Sequence, residues 1–251
     1  PGDCFHTAYE ACRIAAKYRT PVLVLADGYL GNGSEAWRIP DTDTLPAFDV
    51  DFETEATERT MHKDQDGNDQ FLPYVRDPET LARAWARPGT PDLEHRLGGL
   101  EKEHQTGNVS YDAENHQKMV EIRAQKVQNV TQDIPPTQVY GHSDGDLLVL
   151  GWGSTKGAIE EATERAVDRG RRVGSVVLRH VWPLPADLAD VLGRFDHVLV
   201  PELNNGQLIR VLRDQYPNRD FTPLNKIQGR PFRAEEIVEK IGSLLGRPAP
   251  A

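Results

Sequence analysis

Cysteine and methionine are rare in this sequence, with two of each among 251 residues, and both cysteines lie near its start, at Cys4 and Cys12. If both lie in one helix, more than two turns separate them, which is too far for a disulfide. Their spacing also differs from that of zinc ligands. We therefore expect two reduced, buried thiols, no metal site and a cytoplasmic location.

Positive charge and long apolar runs are also scarce. Lysine and arginine total 29 against 39 acidic residues, which gives a formal net charge of −10. A protein that binds nucleic acid needs a basic face to neutralise phosphates, and a membrane-spanning helix needs about 20 consecutive apolar residues. The sequence shows neither, so we expect no nucleic-acid partner and no membrane partner.

Regular alternation of strands and helices begins at Asp146. The apolar segments typical of buried strands are DLLVLGWGS, VGSVVLRHVWPLP and HVLVPEL, and amphipathic helical patterns follow them, the last over 234–245. Strands alternating with helices favour right-handed βαβ units and a mainly parallel sheet. The sequence therefore predicts an α/β domain over 146–247, preceded by a linker over 136–145 and followed by a tail over 248–251.

The first 135 residues are less regular. A helix is predicted over 4–18, and the residues expected on its inner face are Phe5, Ala8, Cys12, Ala15 and Ala16. A buried strand over 22–26 follows and ends at Asp27, before a glycine-rich loop. Because one helix and one strand cannot bury their own faces, we expect the other strands of this sheet to lie upstream of this sequence.

The region from 41 to 145 is rich in acids, prolines and glycines. A short helix is predicted over 78–85, with Asp77 as its N-cap. A longer helix is predicted after Asp112, and its apolar stripe consists of Val120, Ala124, Val127 and Ile134. A connection this long is uncommon inside a compact domain, so we expect it to form an interface or an active-site lid.

Two loops after predicted strands hold polar groups with more than one interpretation. GWGSTKG, residues 151–157, resembles a dinucleotide-binding turn, but its third glycine is one position late. It is either a tight turn without a nucleotide or an NADP site in which Arg179 meets the 2′-phosphate. Glu202 and Asn204, in PELNNGQ, are either a loop acid and a helix cap or contacts to a cofactor or partner subunit.

A third loop, LEHRLGG followed by HQTGN, concentrates histidine, arginine and amide side chains. Arg96 has the chemistry to hold a carboxylate through two parallel hydrogen bonds, and His104 has the chemistry to move protons; the alternative is that both are surface groups. No Ser-His-Asp order, H-E-x-x-H or C-x-x-C motif is present. The residues alone therefore indicate an α/β protein that is part of an enzyme.

Six motifs, taken in order, resemble those of a known family. They are GDCFHTAYEACRIAAKYRTPVLVLADGYLGNGSEAWRIPD, FLPYVRDPETLARAWARPGTPDLEHRLGGLEKE, TGNVSYDAENHQKM, LLVLGWGSTKGAI, LRHVWPLP and PELNNGQL. From Gly2 to about Phe232 they closely resemble the C-terminal part of alpha subunits of 2-oxoglutarate:ferredoxin oxidoreductases, in the thiamine-diphosphate-dependent 2-oxoacid:acceptor oxidoreductase family. The resemblance implies that residues 1–135 are the rear part of a thiamine-pyrimidine-binding domain, with long interface loops and a connecting helix. Residues 146–247 would then be a transketolase-C-terminal-like α/β domain.

The resemblance also implies a function, namely oxidative decarboxylation of 2-oxoglutarate with coenzyme A to succinyl-CoA and CO₂, with electrons passing reversibly to ferredoxin. The implied cofactors are thiamine diphosphate with Mg²⁺, held with or by a beta subunit, and a 4Fe-4S cluster in that partner; coenzyme A is a co-substrate. The implied partners are the beta subunit, the upstream part of the alpha subunit, ferredoxin and a second alpha–beta unit. The chain is therefore not expected to be active alone. The alternatives are a related enzyme for pyruvate or branched 2-oxoacids, or a mainly structural and dimerisation module.

The same resemblance, together with loop position, suggests the candidate site residues. Candidate catalytic groups are Arg96, for the distal carboxylate of the substrate, and His104. Candidate cofactor contacts are Asp27, Gly28, Tyr29, Leu30, Thr106 and Asn108. Candidate interface or ligand contacts at the edge of the second domain are Arg179, His180, Glu202 and Asn204.

Overall fold

The computed structural model describes residues 1–48, 50–63 and 66–246. The chain forms two compact units that interleave along the sequence. We call them the sheet unit, which comprises Pro1, Leu25–Glu35 and the chain from Gln132 onward, and the loop unit, which comprises Gly2–Val24 and Ala36–Thr131. The domain boundaries expected from the sequence stay predictions, and the tail over 248–251 lies outside the described residues.

The sheet unit is built on five strands, in the order β3-β5-β4-β6-β7. They are β3 (Tyr140–Gly141), β4 (Gly145–Trp152), β5 (Val173–Leu178), β6 (Phe195–Glu202) and β7 (Thr222–Asn225). All neighbours pair in parallel except β3, which is antiparallel to β5. The helices of this unit are α2 (Gly28–Gly31), α4 (Lys156–Asp168), α5 (Leu188–Gly193), α6 (Leu208–Gln215) and α7 (Ala234–Leu244). The predicted α/β fold with a mainly parallel sheet is therefore confirmed.

Helices cover both faces of this sheet. On one face, alternate strand residues such as Leu148 and Leu150 pack with apolar residues of α5 and α6. On the other face, the neighbouring residues Leu147 and Val149 pack with Ile159 of α4 and with residues of α7. Because both faces of the central strands are buried, these strands consist of continuous apolar runs. On α4, Ile159, Ala162 and Ala166 recur at helical spacing and are buried against the sheet, as an amphipathic helix requires.

The loop unit has little regular structure. Its elements are the helices α1 (Gly2–Tyr18) and α3 (Ala113–Asn129) and a two-stranded antiparallel ribbon of β1 (Met61–Lys63) and β2 (Asp69–Phe71). Asp112 begins α3 as predicted, because its carboxylate accepts a hydrogen bond from the backbone N–H of Asn115 at 2.8 Å. The Tyr18 hydroxyl ties α1 to the end of α3 by donating to the carbonyl of Asn129 at 3.1 Å.

The predicted inner face of α1 is wrong. The buried residues of α1 are Ile14 and Tyr18, whereas Cys12 is exposed and Cys4 is only half-buried. Both thiols are free, as predicted, but they are not buried. The error arose because small alanine and cysteine side chains dominated the pattern, while the longer Ile14 and Tyr18 make the contacts that bury the helix.

The predicted strand over 22–26 is also wrong. The segment has no regular secondary structure, and Leu23 and Leu25 are 87% and 63% exposed. A strand needs a hydrogen-bonding neighbour, and no strand pairs with this segment in the described part of the chain. The apolar run therefore remains an exposed segment that leads into α2.

The predicted helix over 78–85 is a turn. The carboxylate of Asp77 accepts hydrogen bonds from the N–H groups of Glu79 and Thr80, as an N-cap would, but no helix follows. Leu81 has a φ of 55°, in the left-handed region, which ends any helical continuation. The chain then turns back, and the N–H of Asp77 donates to the carbonyl of Ala82 at 2.8 Å.

The apolar stripe predicted for α3 is wrong at Val120 and Ala124, whereas Val127 and Ile134 are half-buried. Val120 is 47% exposed and Ala124 is exposed, whereas Met119 is buried and Asn115 lies beside it on the same face. The Asn115 side chain donates to the carbonyl of Lys102 at 3.0 Å and accepts from the N–H of His104 at 3.0 Å. A polar side chain that ties a loop to the helix therefore occupies a position that the apolar pattern left out.

The segment TPLN, which carries no strand pattern, forms the edge strand β7 of the sheet. In the described residues, no helix is both long and apolar enough to cross a membrane.

Candidate functional site

The loop that opens the candidate cofactor region is fixed by Asp27. One carboxylate oxygen accepts a hydrogen bond from the N–H of Tyr29 at 2.8 Å and so caps the short helix α2. The other oxygen accepts a hydrogen bond from the hydroxyl of Ser154. Of the other residues predicted here, Gly28 is exposed, Tyr29 is 62% exposed and Leu30 is half-buried. The Tyr29 ring is therefore exposed to solvent, on a loop in which both carboxylate oxygens of Asp27 already accept hydrogen bonds.

Ser154 belongs to GWGSTKG, the motif that follows β4. Gly151 fits closely here, because a Cβ at this position would lie 2.3 Å from Cδ1 of Ile159 in α4 and 2.8 Å from the Thr155 hydroxyl, so those side chains would have to shift. Residues Gly153–Thr155 form a single 3₁₀ turn that leads into α4. This close approach of helix and strand fits the interpretation of a tight strand-to-helix turn.

Glu202 ends β6 and is completely buried. Its Oε1 accepts from the N–H of Leu208 at 2.8 Å and from the indole N–H of Trp152 at 3.4 Å, and its Oε2 accepts from the N–H of Ile209 at 3.1 Å. Leu208 and Ile209 are the first residues of α6, whose N–H groups have no partner within the helix. The carboxylate therefore satisfies them and complements the positive end of the helix dipole.

Asn204 also acts at the start of α6, since its side-chain oxygen accepts from the N–H of Gln207 at 2.9 Å. Arg179 and His180 follow the end of β5; the Arg179 side chain is exposed and His180 is half-buried. Of the four residues predicted at this edge, Glu202 and Asn204 thus have contacts that explain them as local structural groups.

Both Asp27 and Glu202 meet the carboxyl end of β4, through Ser154 and Trp152 respectively. Ligands of parallel sheets bind at this end of the strands. Each acid was predicted at a strand end or loop, but neither contact with a residue of GWGSTKG was predicted from the sequence.

In the loop unit, Arg96 and His104 have different surroundings. Arg96 is exposed. The imidazole of His104 contacts Glu103 through Nδ1 and the Lys118 ammonium through Nε2, the latter at 2.8 Å. Both ring nitrogens of His104 are therefore engaged by neighbouring charged side chains.

Thr106 and Asn108 lie in the same loop. Glu103 organises it, because its carboxylate accepts from the N–H groups of Thr106 at 2.7 Å and Gln105 at 2.9 Å. Burial alone would raise the pKa of Glu103, but these hydrogen bonds, with a smaller contribution from His104, hold that pKa below its ordinary value. Asn108 is exposed, and its N–H donates to the Thr106 hydroxyl at 3.3 Å.

A cavity of about 420 Å³ in the loop unit was missed by sequence reasoning. Its lining residues are Tyr74, Arg76, Arg83, Gly99, Leu100, Glu101, Lys102, Met119, Arg123 and Lys126. None of the predicted site residues lines it. The basic residues come from separate stretches of the chain, so no local motif indicated that they meet.

In the described residues, no group of three or more His, Cys, Asp or Glu side chains is arranged to hold a metal ion.

Comparison with known proteins gives the family. A family model described as "Pyruvate flavodoxin/ferredoxin oxidoreductase, thiamine diP-bdg" matches residues 1–115, and one described as "Pyruvate:ferredoxin oxidoreductase core domain II" matches residues 145–237. Over 249 residues the chain is 45% identical to 2-oxoglutarate oxidoreductase subunit KorA of Mycobacterium tuberculosis. The chain belongs to the 2-oxoacid:ferredoxin oxidoreductase family. The resemblance drawn from the six motifs is thereby confirmed.

More distant members of this family match over a similar extent. Subunit alpha of 2-oxoacid:ferredoxin oxidoreductase 1 of Aeropyrum pernix is 29% identical over 248 residues, 95% of this chain and 36% of that relative. The solved structure of the 2-oxoglutarate:ferredoxin oxidoreductase from Magnetococcus marinus matches 97% of this chain and 40% of its own, with a TM-score of 0.83 and 28% identity. The alignment with the mycobacterial relative covers 98% of this chain but 36% of that protein. The chain thus spans about a third of the length of those curated relatives.

Proposed function

We propose that this chain forms part of the alpha subunit of a 2-oxoglutarate:ferredoxin oxidoreductase. The whole enzyme would convert 2-oxoglutarate and coenzyme A to succinyl-CoA and CO₂ and pass the electrons to ferredoxin. The observation that carries the proposal is the 45% identity to the mycobacterial 2-oxoglutarate oxidoreductase subunit over nearly the whole chain. It is supported by the Magnetococcus marinus enzyme, which was solved with 2-oxoglutarate, coenzyme A and succinyl-CoA bound.

The loop around Asp27 fits one end of thiamine diphosphate. The exposed side chains of Leu25 and Tyr29 offer apolar and aromatic surface suited to a flat ring, and Asp27 holds the loop that carries Tyr29 in place. When bound, thiamine diphosphate supplies the carbanion chemistry of the decarboxylation. We propose that these residues orient the pyrimidine ring and exclude water from it. The diphosphate, its Mg²⁺ and the 4Fe-4S cluster are proposed to lie with the beta subunit.

The proposed partners are the beta subunit, the upstream part of the alpha subunit, ferredoxin and a second alpha–beta unit. The segment over 22–26 exposes large apolar side chains such as Leu23. Because exposure of such side chains to water is unfavourable, this supports the proposal that one of these partners packs against the segment. A cytoplasmic location stays a prediction from the sequence.

Within the loop unit, we propose Arg96 as the group that meets the distal carboxylate of 2-oxoglutarate. Its exposure supports this role, since a guanidinium on the surface is accessible to a substrate. His104, Thr106 and Asn108 are proposed to shape the loop next to it. Both ring nitrogens of His104 are engaged by Glu103 and Lys118, so we assign it a positioning role. Arg179 and His180 remain proposed interface contacts.

A second candidate is a related oxidoreductase that accepts pyruvate or branched 2-oxoacids. The relative from Aeropyrum pernix is named for 2-oxoacids in general, and one fold accommodates several substrates. A mainly structural role, with the reacting groups supplied by other chains, is the non-catalytic alternative.

The test begins with the native complex purified through this chain. Its subunits, iron, acid-labile sulfide and thiamine diphosphate are measured first, and its turnover is then compared with 2-oxoglutarate and with pyruvate. We expect a cluster-containing complex that prefers 2-oxoglutarate at least tenfold. A preference for pyruvate would support the second candidate, and an intact, cofactor-loaded complex without turnover would leave the structural role.

A further inference from the structure

The cavity between α3 and the two chain segments around Arg83 and Glu101 is strongly basic; we call it the basic cavity. Its lining carries five cationic side chains and one carboxylate, a local formal charge of +5 − 1 = +4. The charged lining residues are Arg76, Arg83, Lys102, Arg123, Lys126 and Glu101. The whole chain has a net charge of −10, so the charge of the cavity lining is opposite in sign to the net charge of the chain.

Most of these charges are oriented but not neutralised. Arg76 donates to the carbonyls of Tyr74 at 3.0 Å and His104 at 2.8 Å. The Lys102 ammonium donates to the carbonyls of Gly98 and Leu100. Carbonyl dipoles satisfy N–H groups without supplying a negative charge. These contacts therefore fix the cations while leaving a positive field in the cavity.

Carboxylates are scarce around the remaining cations. Glu101 lies 3.6 Å from the Arg123 guanidinium, and that pair is half-exposed. In the described part of the chain, neither Arg83 nor Lys126 forms an ion pair with a carboxylate. The Arg83 guanidinium lies 5.1 Å from the centre of the Tyr74 ring, a cation–π contact that holds its plane while leaving its N–H groups available.

Burial and the clustering of positive charges shift the pKa of Lys126. Burial, followed by the positive charges of Arg76, Arg83 and Arg19, lowers the pKa of Lys126 to about 8. Like charges collected in a concave site raise the local concentration of counter-ions. Titratable groups whose pKa is shifted by burial and by like charges in a cleft are typical of functional sites.

We propose that the basic cavity binds a small, multiply charged anion through phosphate or carboxylate groups held by Arg83 and Lys126. The volume of about 420 Å³ is within the range of small-molecule sites. Arg83 would provide a planar two-point contact and Lys126 a point charge. Apolar atoms of Leu100 and Met119 line the same cavity and would contact the uncharged part of the ligand.

Three sources share this chemistry: coenzyme A, 2-oxoglutarate and free polyphosphates. The first two are substrates only if the proposed function is correct, whereas the anion site itself does not depend on it. The test therefore measures binding without turnover, in the native complex purified through this chain. The probes are inorganic pyrophosphate, coenzyme A and 2-oxoglutarate, titrated calorimetrically one at a time at constant ionic strength and pH 7.

The variants are Lys126→Met, which keeps the length and apolar stem of the side chain, and Arg83→Gln. The matched control is Lys63→Met, because Lys63 is an exposed lysine of the same unit that pairs with Asp69 at 2.7 Å. Each cavity variant is expected to weaken binding of at least one probe tenfold or more, and the control is expected to leave binding unchanged. The probe that responds identifies the source of the anion.

Thermal unfolding separates a binding role from a structural one. Lys126→Met removes a partly buried charge, so the variant is expected to melt at or above the temperature of the unchanged protein. Loss of binding together with retained or raised stability supports the proposal. If no probe binds, or if both cavity variants bind every probe as tightly as the control does, the proposal is wrong, whatever the complex turns over.

Discussion

Ser154 donates a hydrogen bond to the carboxylate of Asp27, 127 residues earlier in the chain. The same carboxylate caps α2 through the N–H of Tyr29. The strand-to-helix turn after β4 therefore holds the loop that presents Tyr29. Under the proposed function, this contact determines where the pyrimidine-facing loop lies at the carboxyl end of the sheet.

The first prediction concerns this contact. Ser154→Ala removes one hydrogen bond to a charged group, which is worth about 1.5–3 kcal/mol in general, and Asp27→Ala removes the helix cap as well. We expect the amides of 29–33 to exchange hydrogen faster in both variants, and most in Asp27→Ala. Ser34→Ala, an exposed serine of the same segment, is the control. Equal protection in all three variants would contradict the role of the contact.

A second prediction concerns Glu202. In Glu202→Gln, the amide group would keep one acceptor oxygen and turn its NH₂ toward a backbone N–H of α6, leaving a buried donor unsatisfied. We expect a loss of about 2 kcal/mol in the free energy of unfolding, measured by urea denaturation, with faster exchange at Leu208 and Ile209. Glu239→Gln, at an exposed position of α7, should change neither. Identical curves for the two variants would show that the buried carboxylate is dispensable.

A third prediction concerns the pH dependence of stability. Burial, followed by neighbouring arginines, lowers the pKa of Lys126 from 10.5 to about 8. Below pH 8 the lysine is charged in both the folded and the unfolded state, so the folded state bears the full free-energy cost of holding this charge among buried and positive surroundings. Between pH 8 and 10.5 the unfolded state keeps a proton that the folded state has lost, so this group raises the free energy of unfolding with pH. The gain is about 2 kcal/mol after discounting for partial exposure.

The difference between the unchanged protein and Lys126→Met isolates this effect from other titrating groups. The groups facing Lys126 are Arg19, Arg76, Arg83, Lys102, Arg123 and Glu101. The variant should be the more stable of the two near pH 7, and its advantage should shrink as pH approaches 10.5. A constant difference between the two proteins across this window would mean that Lys126 is not destabilised by its surroundings.

The sheet unit could largely be predicted from the sequence because the pattern of apolar residues within each segment indicates whether that segment is a strand or a helix. Leu147–Leu150 form a continuous apolar run, which indicates a strand with both faces buried. Ile159, Ala162 and Ala166 recur at helical spacing, which indicates a helix with one buried face. The edge strand β7 was missed because its residues are exposed or half-buried and include a proline. Edge strands lack the apolar signal that marks central ones.

The loop unit was harder to predict, for the opposite reason. Val22–Ala26 has the composition of a buried strand, but pairing depends on a neighbour that composition does not specify. The helix predicted after Asp77 failed because the same capping hydrogen bonds also stabilise an isolated turn. The basic cavity gathers side chains from Tyr74 to Lys126, each of which resembles an ordinary surface or loop residue by itself. Such a site becomes visible only in three dimensions.

A fourth prediction separates Arg96 from His104 in the assembled enzyme. Arg96→Ala should raise the KM for 2-oxoglutarate tenfold or more, since a carboxylate loses its charged partner, with the subunit composition unchanged. His104→Ala should have a smaller effect, because its imidazole is engaged with Glu103 and Lys118. Arg210→Ala, on an exposed face of α6, is the control. If the KM of Arg96→Ala matches that of the control, Arg96 does not contact the substrate.

The most direct test of the account is reduction of a viologen dye by the native complex purified through this chain, with 2-oxoglutarate or pyruvate, each with and without coenzyme A. The account predicts reduction that requires both 2-oxoglutarate and coenzyme A and yields succinyl-CoA. Reduction with pyruvate alone would keep the reaction type and contradict the substrate. Absence of reduction by a complex that contains its cluster and thiamine diphosphate would contradict the proposed activity.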